Sequence, residues 1–425
     1  MMKKKFRLLI IIFIFFIVLV VLNRKNIEKQ YEVIRIKRYG EPINQYGMIN
    51  NEYFFMDENN TKLTTKGLNL AIEYAKKNGI EYIELKNGEY VINDTIKLES
   101  NITLDLNGST IIYETNSKTN YSVFNIRNVE NVKLINGVLH GDKNTHDYSS
   151  IESTHEWGMG IDTRNSSNIT ISNVKIGNMT GDGVYISNNK DMQVNNCIIS
   201  DNRRQGISVI SGNNIEIFDN EIYTINGTNP KAGINCEANY DNEYCSNIKI
   251  YRNKIYNDKN LSILFEKNTA NAEVFDNELE GTIYIINAKD SITIKDNVMK
   301  NGLFKADVPE RKINNGFVIN NVTVEGNKFY NVNFEFRNNN NVQLSNNEIN
   351  EGTITMQNSK VNIINNNIKN SSVKDYLYNF EKSNLSNAID GKNKSEVYLK
   401  GNKIIGQYKT LYKGNDYAKI IEENM

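Results

Sequence analysis

Apolar and polar positions alternate down most of this chain in one cassette, Ile-x-Ile-x-x-Asn-x-Ile. Its clearest copies read NIEIFDNEI, NIKIYRNKI, NAEVFDNEL, DSITIKDNVM, NVTVEGNKF, NVQLSNNEI, KVNIINNNI and EVYLKGNKI. Their shared asparagine stands at Asn220, Asn253, Asn277, Asn297, Asn327, Asn347, Asn366 and Asn402. Alternating Ile/Val positions mark short strands with one buried face. The cassette returns at intervals of roughly 20 to 36 residues, the range of coils in a parallel β-helix, with the longer intervals carrying loops. An asparagine at the bend can hydrogen-bond both the main chain and its equivalent in the next coil. The pattern therefore predicts an all-β, single-stranded parallel β-helix with an internal amide ladder. Leucine-rich repeats lack their Leu consensus, propellers lack their Trp or Gly-His signatures, and 26 Gly with three Pro exclude collagen.

Ahead of the strands, TTKGLNLAIEYAKKNG places Leu68, Ala71, Ile72 and Ala75 on one helical face, with Thr64 or Thr65 as N-cap and Gly79 as the stop. A solenoid must cover its open apolar end, and this helix predicts the N-terminal cap. Strand patterns then run from EYIELKNGEYVIN through NITLDLNGSTI, VENVKLINGVLHG, SSNITISNVKIGN and KDMQVNNCIISDN into the regular ladder. Three segments interrupt it: 137–158, which holds His140, His146, His155 and Trp157; 226–247; and 371–394, expected to be helical or irregular. Residues 407–425 read as a tail closing the C-terminal end. Coils add to one unit, so 61–425 reads as one domain, behind a stalk and lead-in at 27–60.

Residues 6–22, FRLLIIIFIFFIVLVVL, are uninterruptedly apolar and follow Lys3, Lys4 and Lys5. That length sits at the low edge for a spanning helix, and the lysines favour a cytoplasmic start. Without small residues in an A-x-A pattern, the expectation for 1–26 is an uncleaved signal anchor, with a cleaved signal peptide as the rival. Both export the remainder. Fifty basic and fifty acidic residues leave no net charge, which makes nucleic acid an unexpected partner. Cys197 falls where a ladder asparagine would stand and Cys236 on an apolar strand position, so both are expected to be buried; no zinc spacing is visible.

Candidate chemistry gathers between His155 and Tyr240. Gly160-Ile161, Gly183-Val184, Gly206-Ile207 and Gly233-Ile234 open four consecutive strands, at intervals of 23, 23 and 27 residues. If the aliphatic residues point inward, Asp162, Tyr185, Ser208 and Asn235 form one outward column, and Arg164, Ser187, Ile210 and Glu237 a second. The preceding turns carry His155, Glu156, Trp157, Asp182, Arg203, Arg204 and Lys231. Coils lie about 4.8 Å apart, so these groups converge within a few sugar rings. Asp182, Asp162 and Glu237 are the candidate catalytic carboxylates. His155, Glu156, Trp157, Tyr185, Arg203, Arg204 and Lys231 are candidate substrate contacts, with the aromatics suited to stacking on a sugar. Each also has a plainer reading, as a turn cap, a surface ion pair or a packing ring.

From about residue 60 to 405, the opening TTKGLNLAIEYAKKNG, ELKNGEYVIN and NITLDLNGSTI resembles the pectate-lyase-like right-handed β-helix superfamily. That resemblance implies a right-handed helix and an extracellular polysaccharide as partner. GMGIDTRNSSNITISNVKIGNMTGDGVYIS, RQGISVIS and AGINCEAN resemble the polygalacturonase-type core, whose coils carry NTD, DD, GHG and RIK. Here those positions fall on Met159, on Asp182 and Gly183, on Gln205, and on Asn235 and Glu237, so that Asp182 alone matches. The epimerase DPHE motif is absent. The reading is a membrane-anchored, outward-facing glycoside hydrolase that needs no cofactor. One alternative is a uronate lyase or C5-epimerase with calcium and Arg203 or Arg204 as base. Another is a glycan-binding surface protein without catalysis.

Overall fold

The computed structural model describes residues 65–423 except 151–153, 287, 289–290, 309–320, 340 and 384–393, together with three upstream strands, Val33–Ile36, Gly47–Ile49 and Glu52–Phe54. The anchor expected at 1–26 and most of the stalk lie outside the described residues. Among the described residues, no helix is long and apolar enough to cross a membrane.

Each coil contributes strands to three parallel stacks, joined in one 35-stranded sheet and called the first, second and third sheets in chain order within a coil, and equivalent residues of successive coils pair in register. One interior column reads Ile171, Val194, Ile217, Ile250, Val274, Ile294, Val324, Leu344, Ile363 and Leu399. All ten are fully buried. Burying one such side chain is worth about 1.5–3 kcal/mol before the chain entropy that opposes folding. The apolar period thus fixes the register, because a slip by one residue would turn the whole column to solvent.

The amide ladder forms as the cassette predicts. Asn220 Nδ2 donates to Asn253 Oδ1 at 3.0 Å, Asn253 to Asn277 at 3.0 Å, and Asn277 to Asn297 at 2.9 Å. The chain of bonds continues through Asn327, Asn347 and Asn366 to Asn402. Each rung also serves the backbone: Asn277 Nδ2 donates to the Ile250 and Phe275 carbonyls, and its Oδ1 accepts from Asn253 N. The residue before each rung is left-handed, at Asp219, Arg252, Asp276, Asp296, Gly326, Asn346, Asn365 and Gly401. That explains why Asp, Asn and Gly dominate there. Cys197 takes the ladder position as expected, its backbone N–H donating to Asn220 Oδ1 at 2.9 Å. All three cysteines are free and buried.

The capping helix spans Thr65–Asn78 and buries Thr65, Gly67, Leu68, Ala71, Ile72 and Ala75, with Gly79 left-handed after it. The loops differ from their expected bounds. The strand Glu130–His140 carries His140, and Trp157 opens the strand Trp157–Arg164, so the first loop is 141–156. Residues 226–247 are not one loop, because the strand Ala232–Cys236 divides them. Within 371–394, Lys374–Glu381 is a strand of the third sheet and not a helix, since its alternate residues fit the same interior column as the coils before it. The tail pairs as a further coil, through Tyr408–Lys413 and Ala418–Glu423.

Candidate functional site

The third sheet stacks Asn120–Arg127, Trp157–Arg164, Asp182–Ser187, Gln205–Val209 and Ala232–Cys236. The predicted column is in register: Asp162 pairs with Tyr185, Tyr185 with Ser208, and Ser208 with Asn235. Pairing lapses at the glycines. Gln205 pairs with Ala232 and Ile207 with Ile234, while Gly206 and Gly233 between them do not pair. A Cβ on Gly160 would meet the Gly183 carbonyl at 2.5 Å, one on Gly183 the Gly206 carbonyl at 2.7 Å, and one on Gly206 the Gly233 carbonyl at 2.4 Å. Only glycine permits this approach. The register is the same on both sides of the glycines, so all the strands bend together there, and the bend resets the alternation of side chains. Met159 therefore packs outside the main core with Tyr185 and Ile210, and Asp182 bonds Ser208. Residues on both sides of the bend share one outer face.

That face is charged but covered, contrary to the expectation of an open wall. Asp162 is 2% exposed, and Asp182, Ser208, Gln205 and Asn235 are 0% exposed. Asp162 is held by Arg164, with Nε at 2.8 Å and Nη2 at 3.1 Å, and by Arg127 from the coil before. Two guanidiniums on one buried carboxylate make it an anchor for the arginines, which corrects its placement as an exposed candidate acid. Asp182 accepts from Ser208 Oγ at 2.6 Å and from Arg204 Nη1 at 3.4 Å. Arg204 Nη2 also lies 3.6 Å from Glu237 Oε2, which accepts from Asn235 Nδ2 at 2.9 Å. Burial raises the Asp182 carboxyl to about 6 against the downward pull of Arg204 and Ser208, with Glu237 adding a smaller upward push.

Above this floor, Arg164 stacks over Tyr185 at 4.7 Å, and Trp157 meets Tyr185 edge-on at 6.2 Å. Burial pushes the Tyr185 hydroxyl up to about 12. Trp157 is 41% exposed and stands at the rim. Glu156 is half-buried beside it, and its carbonyl crowds Gly181. Lys231 lies at the turn before Ala232–Cys236, where its carbonyl accepts from Asn257 Nδ2 at 2.7 Å. Arg203 turns the other way: it stacks on Tyr148 at 5.0 Å and donates to the Thr154 and His155 carbonyls at 3.1 and 3.2 Å.

His155 does not join this outer face. It is 3% exposed, left-handed, and buried in a chain running from Asp142 through His146 Nδ1 at 2.7 Å, His146 Nε2 to His155 Nδ1 at 2.9 Å, and His155 Nε2 to the Ser150 carbonyl at 2.9 Å. Tyr121 also donates to Asp142, and Thr180 Oγ1 donates to Tyr121 at 3.0 Å. This network ties Asp142, His146, Ser150 and His155 to Tyr121 and Thr180 of the coil stack. Sequence reasoning missed Arg127, Tyr121 and Asp142, because the loop lengthens that coil and hides its register. Extending the column one coil back, from Arg164 to Arg127, would have found the second arginine. Among the described residues, no group of three or more His, Cys, Asp or Glu is gathered to hold a metal.

Residues 69–299, more than half of the chain, match the family described as right handed beta helix region, in overlapping segments 69–243 and 135–299. A prophage-derived protein of Bacillus subtilis strain 168, YorA, is 30% identical over 211 residues, 42% of this chain and 36% of YorA. YclG of the same organism is 28% identical over 234 residues, 47% of this chain and 40% of YclG. The chain thus spans well under half the length of these relatives. Among solved structures, the mannuronan C-5 epimerase AlgE6 A-module of Azotobacter vinelandii superposes with TM-score 0.53 at 14% identity, covering 85% of this chain and 95% of that one. The Streptococcus pneumoniae surface adhesin PfbA gives 0.51 at 14%, covering 90% and 93%. A tailspike protein of E. coli bacteriophage HK620, in complex with a hexasaccharide, gives 0.55 at 11%, covering 86% and 79%.

Proposed function

The chain belongs to the right-handed β-helix family, and from that premise we propose that it cleaves an extracellular polysaccharide by glycosidic hydrolysis in the groove above Asp182. One observation carries this reading: a single guanidinium, Arg204, contacts both Asp182 and Glu237 on the outer face. Those contacts limit the separation of the two contacted carboxylate oxygens to about 9 Å at most, which does not exceed the roughly 5–9.5 Å span of paired glycosidase carboxylates. Asp182, which burial raises to about 6 so that half of it still carries its proton at that pH, supplies the proton to the leaving oxygen. Glu237, with its side chain 25% exposed, activates water or attacks directly. Arg204 must lift from Asp182 as the substrate enters, and its side chain is 20% exposed and rooted at the surface. Trp157, exposed at the rim, offers an aromatic face for a sugar ring, whereas Tyr185, expected to do the same, is buried under Arg164 and packs with Met159 and Ile210 as the support beneath that platform. Asp162 positions Arg127 and Arg164 around that platform.

The likeness in fold to an epimerase, an adhesin and an oligosaccharide-bound tailspike supports a carbohydrate partner. A second reading, glycan binding without cleavage, is favoured by the complete burial of Asp182 in this conformation. A uronate lyase or epimerase using calcium has less support, since Arg204 is engaged by two carboxylates and Arg203 by loop carbonyls. We further propose that residues 6–22 anchor the chain with the β-helix facing outward; protease digestion of intact cells should remove the helix domain.

The deciding experiment incubates the full chain, in mild detergent, with the producing cell's surface polysaccharides and sizes the products. Hydrolysis predicts shortened chains without ultraviolet-absorbing ends, lost in Asp182→Asn while the circular dichroism is kept. Undiminished cleavage by that variant would remove Asp182 from the mechanism. Binding without shortening would leave the second reading.

A further inference from the structure

The site also carries information about the charge of its substrate. Two acceptor oxygens on the floor, Asp182 Oδ1 and Asn235 Oδ1, are buried without any hydrogen-bond partner, and Gln205 has one unpaired amide end at Nε2. These three residues share one connected network. Ser208 Oγ touches both Asp182 Oδ2 and Gln205 Oε1, and Asn235 is the register neighbour of Ser208. Ser208 has a single proton for those two acceptors. Turning the Gln205 amide over lets Nε2 donate to Ser208 and leaves Oε1 as the free end. With Asp182 ionised, at least two unpaired acceptors remain in either orientation; with Asp182 protonated at Oδ1, that proton needs an acceptor while Asn235 Oδ1 still needs a donor. A buried polar atom left unpaired costs about 1–3 kcal/mol, so the floor gains most from a ligand group that both donates and accepts.

The charges point the same way. Arg127 and Arg164 are both committed to Asp162, and Arg204 spans Asp182 and Glu237. Three guanidiniums therefore face three carboxylates, and no cation at the floor is left over. An anionic sugar would find no uncommitted guanidinium here, since Arg203 turns away to Tyr148 and the loop carbonyls, and its carboxylate has no proton to donate to Asn235 Oδ1 or to an ionised Asp182. A hydroxyl both donates and accepts, and fits.

Resting on the groove assigned above, we propose that the substrate is an uncharged polysaccharide, built of neutral hexoses or N-acylated hexosamines, and not a uronan. Affinity electrophoresis of the full chain through neutral glucans and N-acetylglucosamine polymers, against polygalacturonate and alginate, tests this in the wild-type protein. Retardation by at least one neutral polymer is expected, changing less than about threefold between low and high salt because no net charge is neutralised. Preferential binding of a uronan, weakening steeply with salt, would overturn the substrate class and leave the groove itself standing. Binding of neither class would overturn the groove as well. Asn235→Leu, which removes one unpaired acceptor at similar volume, should weaken neutral-polymer binding by about three- to tenfold. Unchanged affinity in a variant that melts like the wild type would remove Asn235 from the site.

Discussion

At the scale of single residues, burial and pairing separate the acidic side chains that the sequence presents as equals. Asp162 and Asp182 both stand beside a glycine column, yet one is locked by two arginines and the other keeps an oxygen without a partner. Register could be read from Gly-apolar spacing; which carboxylate each arginine reaches could not, because that depends on side-chain paths across coils. Asp182 makes a testable claim about stability. Its folded-state value of about 6 lies above the unfolded 3.8, so the folded protein binds more protons between those pH values, and stability declines as pH rises through that window. The loss is on the order of 3 kcal/mol above pH 6. Denaturant unfolding of Asp182→Asn should therefore show a gain over wild type at pH 7 that shrinks at pH 4. An identical gain at both would contradict the elevated value. Arg164→Gln leaves Asp162 with one guanidinium in place of two and should cost about 1–3 kcal/mol in the same measurement.

At the scale of elements, the glycine column is the least replaceable part of the site. Sequence showed four glycines in phase, but read them as markers of strand starts. Their actual work is to let adjacent coils touch at a bend, which brings positions before and after it onto one face. Gly206→Ala would drive a methyl to within 2.4 Å of the Gly233 carbonyl, so the backbone must shift. A destabilisation of about 2 kcal/mol or more is expected, together with loss of activity, since Gln205 and Ser208 flank that residue. An alanine variant with wild-type melting and turnover would count against the bend. Loop limits were less legible than strands, because period-2 patterning ends gradually and His140 and Trp157 extend their strands into the polar segment.

At the scale of the whole molecule, a one-dimensional stack makes stability a sum of coils and the contacts between them. The cassette revealed this directly, since each coil repeats the same apolar positions and the same bend. Asn297→Ala should cost about 3 kcal/mol in denaturant unfolding, because it strips partners from both neighbouring rungs and from two carbonyls. Every rung, moreover, hands its proton the same way, toward the C-terminal coil. The row of amides therefore has a sense of direction, and no rung can be turned over alone without setting oxygen against oxygen on one side and nitrogen against nitrogen on the other. A residue lacking an amide is tolerated most easily where the series begins, and Cys197 stands there: its thiol approaches the Ile171 and Asn195 carbonyls, as an amide nitrogen would. Cys197→Asn should lengthen the series by one member and raise the melting temperature, while an asparagine written in backwards anywhere further along has no orientation left to take.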